Sequence, residues 1–151
     1  MLSKIFLGIF LFLTLNVMAG EAPGVKMITH YGGIKVIVQA KNKILSLTKK
    51  EVSDIFLRKK TQWPDRTTIT PFDLKYDSKV REVFSKQFHG RSPMFIKKYW
   101  QQKIFGGYEL PPLEKEPSDA LHSVAKTDGG ICYIPANVEL PPSVKEVAIR
   151  D

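Results

Sequence analysis

Segments of strand character alternate with segments of helix character along 151 residues, which predicts an α/β fold: a mixed sheet flanked by about four helices. Three observations carry that expectation. Ile34-Lys35-Val36-Ile37-Val38 is dense in β-branched residues and reads as a strand buried on one or both faces. Val52, Ile55 and Phe56 then recur at helical spacing, the stripe of a helix lying on a core. Glycine and proline punctuate the chain between such segments, and there are no internal repeats or low-complexity stretches.

The elements follow in order. Residues 20–33 hold Pro23, Gly24, Gly32 and Gly33 without periodicity and read as a flexible lead-in. After the 34–38 strand, residues 45–51 are expected to open a helix, because Thr48 and Glu51 have the spacing of a reciprocal cap. Thr67 to Leu74 predicts a second strand, broken by Pro71. A second helix starts at Asp77 or Ser78 with Val80, Val83, Phe84 and Phe88 on one face, and Gly90 closes it. Ser92 caps a third helix with Pro93 at its first position and an inner stripe of Ile96, Tyr99, Trp100 and Ile104. A proline-bearing loop is expected over 109–117, and Ser118 is expected to cap a short fourth helix carrying Leu121, Val124 and Ala125. Asp128-Gly129-Gly130 turns the chain into a strand over 131–134, and 144–149 forms the last strand.

The N-terminus has the order of a secretory leader. Lys4 gives a positive start, Ile5 to Leu15 is apolar apart from Gly8 and Thr14, and Val17-Met18-Ala19 places small residues before a cut after Ala19. The apolar run falls short of the ~20 residues that span a bilayer, although an uncleaved anchor is the competing reading. A signal peptide over 1–19, the lead-in over 20–33 and one domain over 34–151 make up the expected organisation. The protein is then periplasmic or secreted, and not membrane-spanning after cleavage. The 132 residues left suit one domain, large enough to fold without a metal or disulfide. Cys132, the single cysteine, lies in an apolar run; a buried inert thiol is set against an intermolecular bridge or a reactive thiol. Without Lys4 the chain keeps 22 basic residues against 15 acidic, a net +7. A solvated basic surface or attraction to small anions fits that balance, whereas export argues against nucleic acid.

Patterns that mark catalysis are missing from the sequence: it has no GxSxG, HExxH, GxxxxGK[ST] or CxxC. His30, His89 and His122 lack metal-ligand spacing, so no metal, no cofactor and no enzymatic activity are expected. One segment has meaning for binding. Asp73 to Arg81 runs from a strand end into a helix start, where free N–H groups and the helix dipole favour an anion. Lys75, Ser78, Lys79 and Arg81 are the candidate anion-binding residues. The plainer reading stands beside it: Asp77 or Ser78 caps the helix and uses those donors itself.

Three blocks in these segments resemble phosphate-binding proteins of ABC importers, which have the type II periplasmic-binding-protein fold. Leu47-Thr48-Lys49-Lys50-Glu51 through Ile55-Phe56, followed by Trp63-Pro64-Asp65, resembles their LT-x-x-E-x-x-x-IF-x-G … W-x-D stretch. Pro71 to Phe84 resembles their strand-to-helix phosphate loop, and Asp128-Gly129-Gly130-Ile131-Cys132-Tyr133-Ile134 resembles PG-x-IGYV. The blocks keep the family's order and cover Val36 to Pro135. The resemblance implies a single, three-layer-like lobe, because 132 residues are too few for the two lobes that close on a ligand.

The departures bear on function. The family's phosphate loop reads roughly R-x-x-G-S-G-T-R-x-x-F, and this chain keeps Ser78, Arg81 and Phe84. Leu74 stands where the resemblance expects the gripping arginine, Asp77 and Lys79 where it expects glycines, and Val80 for the threonine. Glycine lets backbone approach an anion closely and arginine grips it by two parallel bonds, so both losses weaken the site. Arg58 and Cys132 also replace glycines of the pattern. The expected function is that of an exported, non-catalytic adaptor that binds a protein partner in the cell envelope. The alternative is a weak phosphate or sulfate binder or sensor.

Overall fold

The computed structural model of the chain describes residues 27–28 and 32–151. The leader over 1–19, the cut after Ala19, and His30 lie outside the described residues. Among the described residues, seven strands form one mixed sheet: β1 (Met27–Ile28), β2 (Ile34–Gln39), β3 (Ser46–Thr48), β4 (Thr70–Leu74), β5 (Leu113–Lys115), β6 (Gly130–Pro135) and β7 (Val144–Arg150). Six of them lie in the order β1-β7-β2-β6-β4-β5, and β3 adds to β7. β2 runs antiparallel to β6 and β7, while β4 runs parallel to β6 and β5. Among the described residues, four α-helices accompany the sheet: α1 (Lys49–Phe56), α2 (Lys79–Phe84), α3 (Pro93–Phe105) and α4 (Pro117–Lys126).

β2 and β6 are buried at five successive positions each, so both faces of the sheet centre need cover. α1 and α2 cover one face around three aromatic rings. Phe84 stacks on Tyr133 with centroids 3.8 Å apart, and Phe56 meets both edge-on at 4.8 and 5.4 Å. α4, packed on β2, β4 and β6, supplies the other face through Ala120 and Val124. The result is the expected three-layer α/β lobe.

The predicted caps on α1 and α3 are present. Thr48 Oγ1 accepts from the Glu51 amide at 3.1 Å, and the Thr48 amide donates to Glu51 Oε2 at 2.9 Å. Ser92 Oγ accepts from the Phe95 amide, and Pro93 opens α3. The helix that begins at Lys79 continues past Phe84 as a π-turn over Ser85–His89, and Gly90, at φ 62°, ends it.

Several local expectations differ. Residues 46–48 form β3, parallel to β7, so α1 begins after Thr48 and not at 45; three residues carry too little pattern to announce a strand. The loop over 109–117 contains β5 for the same reason. The second strand spans only 70–74, and Pro71 does not break it: β4 pairs with β6 at Thr70 and Pro71 and with β5 only from Phe72 onward. Glu116, not Ser118, occupies the cap position of α4, because Pro117 takes the first helical place. Ile104 is exposed and not part of the inner stripe of α3, where Ile96 and Trp100 are the buried members. Within the segment read as a lead-in, Met27 and Ile28 pair with Arg150 and Ile149 of β7.

Candidate functional site

The C-terminal end of β4 and the turn into α2 carry the four residues singled out from sequence, and the fold separates them. Arg81 is 6% exposed and points inward. Its Nη2 lies 3.0 Å from Asp73 Oδ2, while Nη1 donates to the Leu74 carbonyl at 2.8 Å and to Glu114 Oε1. Lys75 Nζ lies 2.5 Å from Glu116 and Lys79 Nζ 3.2 Å from Glu82, both pairs on the surface. Ser78 holds the cap position of α2, yet its hydroxyl makes no capping hydrogen bond. An open hollow of about 400 Å³ beside it is lined by Tyr76, Asp77, Ser78, Glu82, Lys86 and Met94 among others. Of the four candidates only Ser78 reaches that hollow, and Asp77 and Glu82 bring two carboxylates to it.

Beneath this turn is a buried polar cluster that the sequence did not reveal. Asp73, 6% exposed, accepts from the Tyr133 hydroxyl and from the Leu74 amide at 2.9 Å besides pairing with Arg81. Burial pushes the Asp73 carboxyl up, and Arg81, the Tyr133 hydroxyl and the Leu74 amide pull against that rise. Burial, then the Asp73 carboxylate, pushes the Tyr133 phenol well above its ordinary value. Both carboxylate oxygens of Asp73 and both terminal nitrogens of Arg81 have partners, which favours the persistence of a buried ion pair. Glu114 lies 33 residues from Arg81 and Tyr133 60 residues from Asp73, so no local spacing announces those two contacts.

His89 ends the π-turn with Nδ1 2.8 Å from the Ser53 hydroxyl. Its ring sits edge-on to Phe84 at 5.2 Å. Burial, helped by Arg81 and Lys59, lowers its pKa from 6.5 to about 4. The contact resembles half of a nucleophile–base pair, but the surrounding cations oppose the imidazolium that a general base must form. Cys132 is fully buried and burial pushes its thiol up, which makes it unreactive. Among the described residues no group of three His, Cys, Asp or Glu side chains could hold a metal, and no helix is long and apolar enough to cross a membrane.

This lobe has the fold of the substrate-binding proteins of phosphate ABC transporters. It superposes on a protein from Clostridium perfringens, assigned as a phosphate ABC transporter substrate-binding protein and solved with bound phosphate, with a TM-score of 0.61 and 19% identity. The match covers 83% of this chain and 48% of that one. An ABC-type phosphate transport receptor from Vibrio cholerae matches with a TM-score of 0.59 and 16% identity over 83% of this chain and 49% of the other. PstS from Borrelia burgdorferi gives 0.58 and 12% over 83% and 51%. The chain thus spans about half the length of the solved structures it resembles. No protein-family model matches the chain, and neither does any curated protein.

Proposed function

We propose that the protein is an exported, non-catalytic binding domain: a single lobe of the phosphate-binding-protein type that serves as an adaptor for a protein partner in the cell envelope. The observation that carries this reading is the state of Arg81. The cation that the resemblance places in the phosphate loop is enclosed by Asp73 and Glu114, and Leu74 stands where a gripping arginine belongs. Two carboxylates for one guanidinium leave no net positive charge to attract an anion.

The second reading, a weak phosphate or sulfate binder, is favoured by one relative by fold having been solved with phosphate bound. Ser78, Lys75 and Lys79 would then hold the anion at the start of α2, outside the buried cluster. Isothermal titration with phosphate separates the two. On the adaptor reading, binding is weaker than about 10 μM, roughly 7 kcal/mol, or undetectable. Tighter binding, lost in Ser78→Ala and Lys79→Ala, would overturn it. Mass spectrometry of the protein recovered after export is expected to show a chain starting at Gly20.

A further inference from the structure

Among the described residues, the exposed large apolar side chains other than Leu45 run from α3 through the loop that follows it to the start of β5. Phe105 is 89% exposed, Tyr108 76% and Leu110 73%, with Ile104 beside them. Ile104, Tyr108 and Leu110 border one shallow hollow of about 230 Å³ with Gly107 and Glu109. This tip is a built turn. The amides of Gly106, Gly107 and Tyr108 donate to the carbonyls of Gln102, Ile104 and Lys103 at 3.0, 3.0 and 3.1 Å. The Tyr108 ring lies so close over Gly106 that an added Cβ would meet it at 2.5 Å. The turn therefore fixes these side chains facing outward.

The inner side of α3 is held to the body by buried Ile96 and Trp100, and by the Tyr99 hydroxyl, which donates to the Leu57 carbonyl at 3.0 Å. Helical periodicity puts Met94, Lys98 and Phe105 on the opposite side. Lys97 and Lys98 are exposed on the helix, and Lys103 Nζ sits 5.6 Å from the Tyr108 ring centre. Glu109 is the acid within the tip; the Glu114 carboxylate, further on, is paired with Arg81.

We propose that this tip docks the protein on an anionic lipid surface. Phe105, Tyr108 and Leu110 enter the headgroup region, and Lys98, with Lys97 on the flank of the helix, faces the lipid phosphates. Charge complementarity selects this occupant. A second copy would bring the same lysines against one another, whereas an anionic bilayer matches both them and a chain that keeps a net +7 without Lys4. Side chains that stand clear of the surface suit a deformable interface, where aromatic rings and lysine stems are accommodated together. The inference is independent of which protein partner the lobe binds.

Cosedimentation of the exported protein with vesicles tests it, using phosphatidylcholine with and without phosphatidylglycerol. Binding is expected to the anionic vesicles alone and to weaken with added salt. The Phe105→Ser/Leu110→Ser double variant and the Lys97→Glu/Lys98→Glu double variant should each bind about tenfold more weakly, with unchanged circular dichroism, because the substituted side chains are exposed. No binding to anionic vesicles, or equal binding by the Phe105→Ser/Leu110→Ser variant, would overturn the proposal. If vesicles fail while those variants lose a specific envelope protein, lipid docking is refuted and the adaptor reading stands.

Discussion

Arg81, singled out from sequence as an anion-binding candidate, is held in the fold as a buried structural group. Its guanidinium spans Asp73, Glu114 and the Leu74 carbonyl, and Asp73 in turn anchors the Tyr133 hydroxyl. Arg81→Ala is expected to cost about 3–5 kcal/mol, because it leaves a carboxylate buried without its counter-charge. Adding Asp73→Asn to that variant should recover part of the loss, since the uncompensated charge then disappears. Urea unfolding of the two single variants and the double measures this. A double variant no more stable than Arg81→Ala would mean that Asp73 is not charged in the fold. The same geometry makes Arg81→Ala a poor test of anion binding on its own, as lost folding would mimic lost affinity.

At the scale of elements, the end of α1 carries a local conflict. Arg58 stands where the resemblance expects glycine, and it adopts φ 58°, a left-handed conformation that costs a side-chain-bearing residue energy. Its Nε is also buried without a hydrogen-bond partner. Arg58→Gly should therefore stabilise the fold by about 1 kcal/mol, the relief of strain outweighing glycine's greater freedom when unfolded. A higher urea midpoint at unchanged slope would bear this out; a lower one would show that the Arg58 stem is needed for packing. Elements of this length were legible in the sequence when period and cap agreed. Thr48 with Glu51, and Ser92 with Pro93, announced α1 and α3 because their signals lie within four residues. β3 and β5, three residues each, exist only because β7 and β4 offer edges to pair with, and no local pattern records that. The candidate residues from Lys75 to Arg81 were readable as a charged turn, but the inward turn of Arg81 depends on Asp73 of β4 and Glu114 of β5.

The stability of the whole molecule should depend on pH through His89. In the fold its pKa is about 4, lowered by burial and by the neighbouring Arg81 and Lys59, against 6.5 when unfolded. Between those values the unfolded chain binds a proton that the folded chain does not, so stability rises with pH across the window. The contribution is complete above pH 6.5 and is lost as the pH falls toward 4, by about 3 kcal/mol at most. Glu51 acts in the same direction at the lower end: its carboxyl is held below 4.5 by Lys60 and the Thr48 amide against the cost of burial. His89→Asn keeps a group able to bond the Ser53 hydroxyl and removes the titration. Thermal unfolding of the parent should show a Tm that drops from pH 7 to pH 4.5, and the variant a flatter profile over the same range. Parallel profiles would mean that His89 is protonated in the fold, and that the aromatic and cationic surroundings of the π-turn do not exclude the imidazolium.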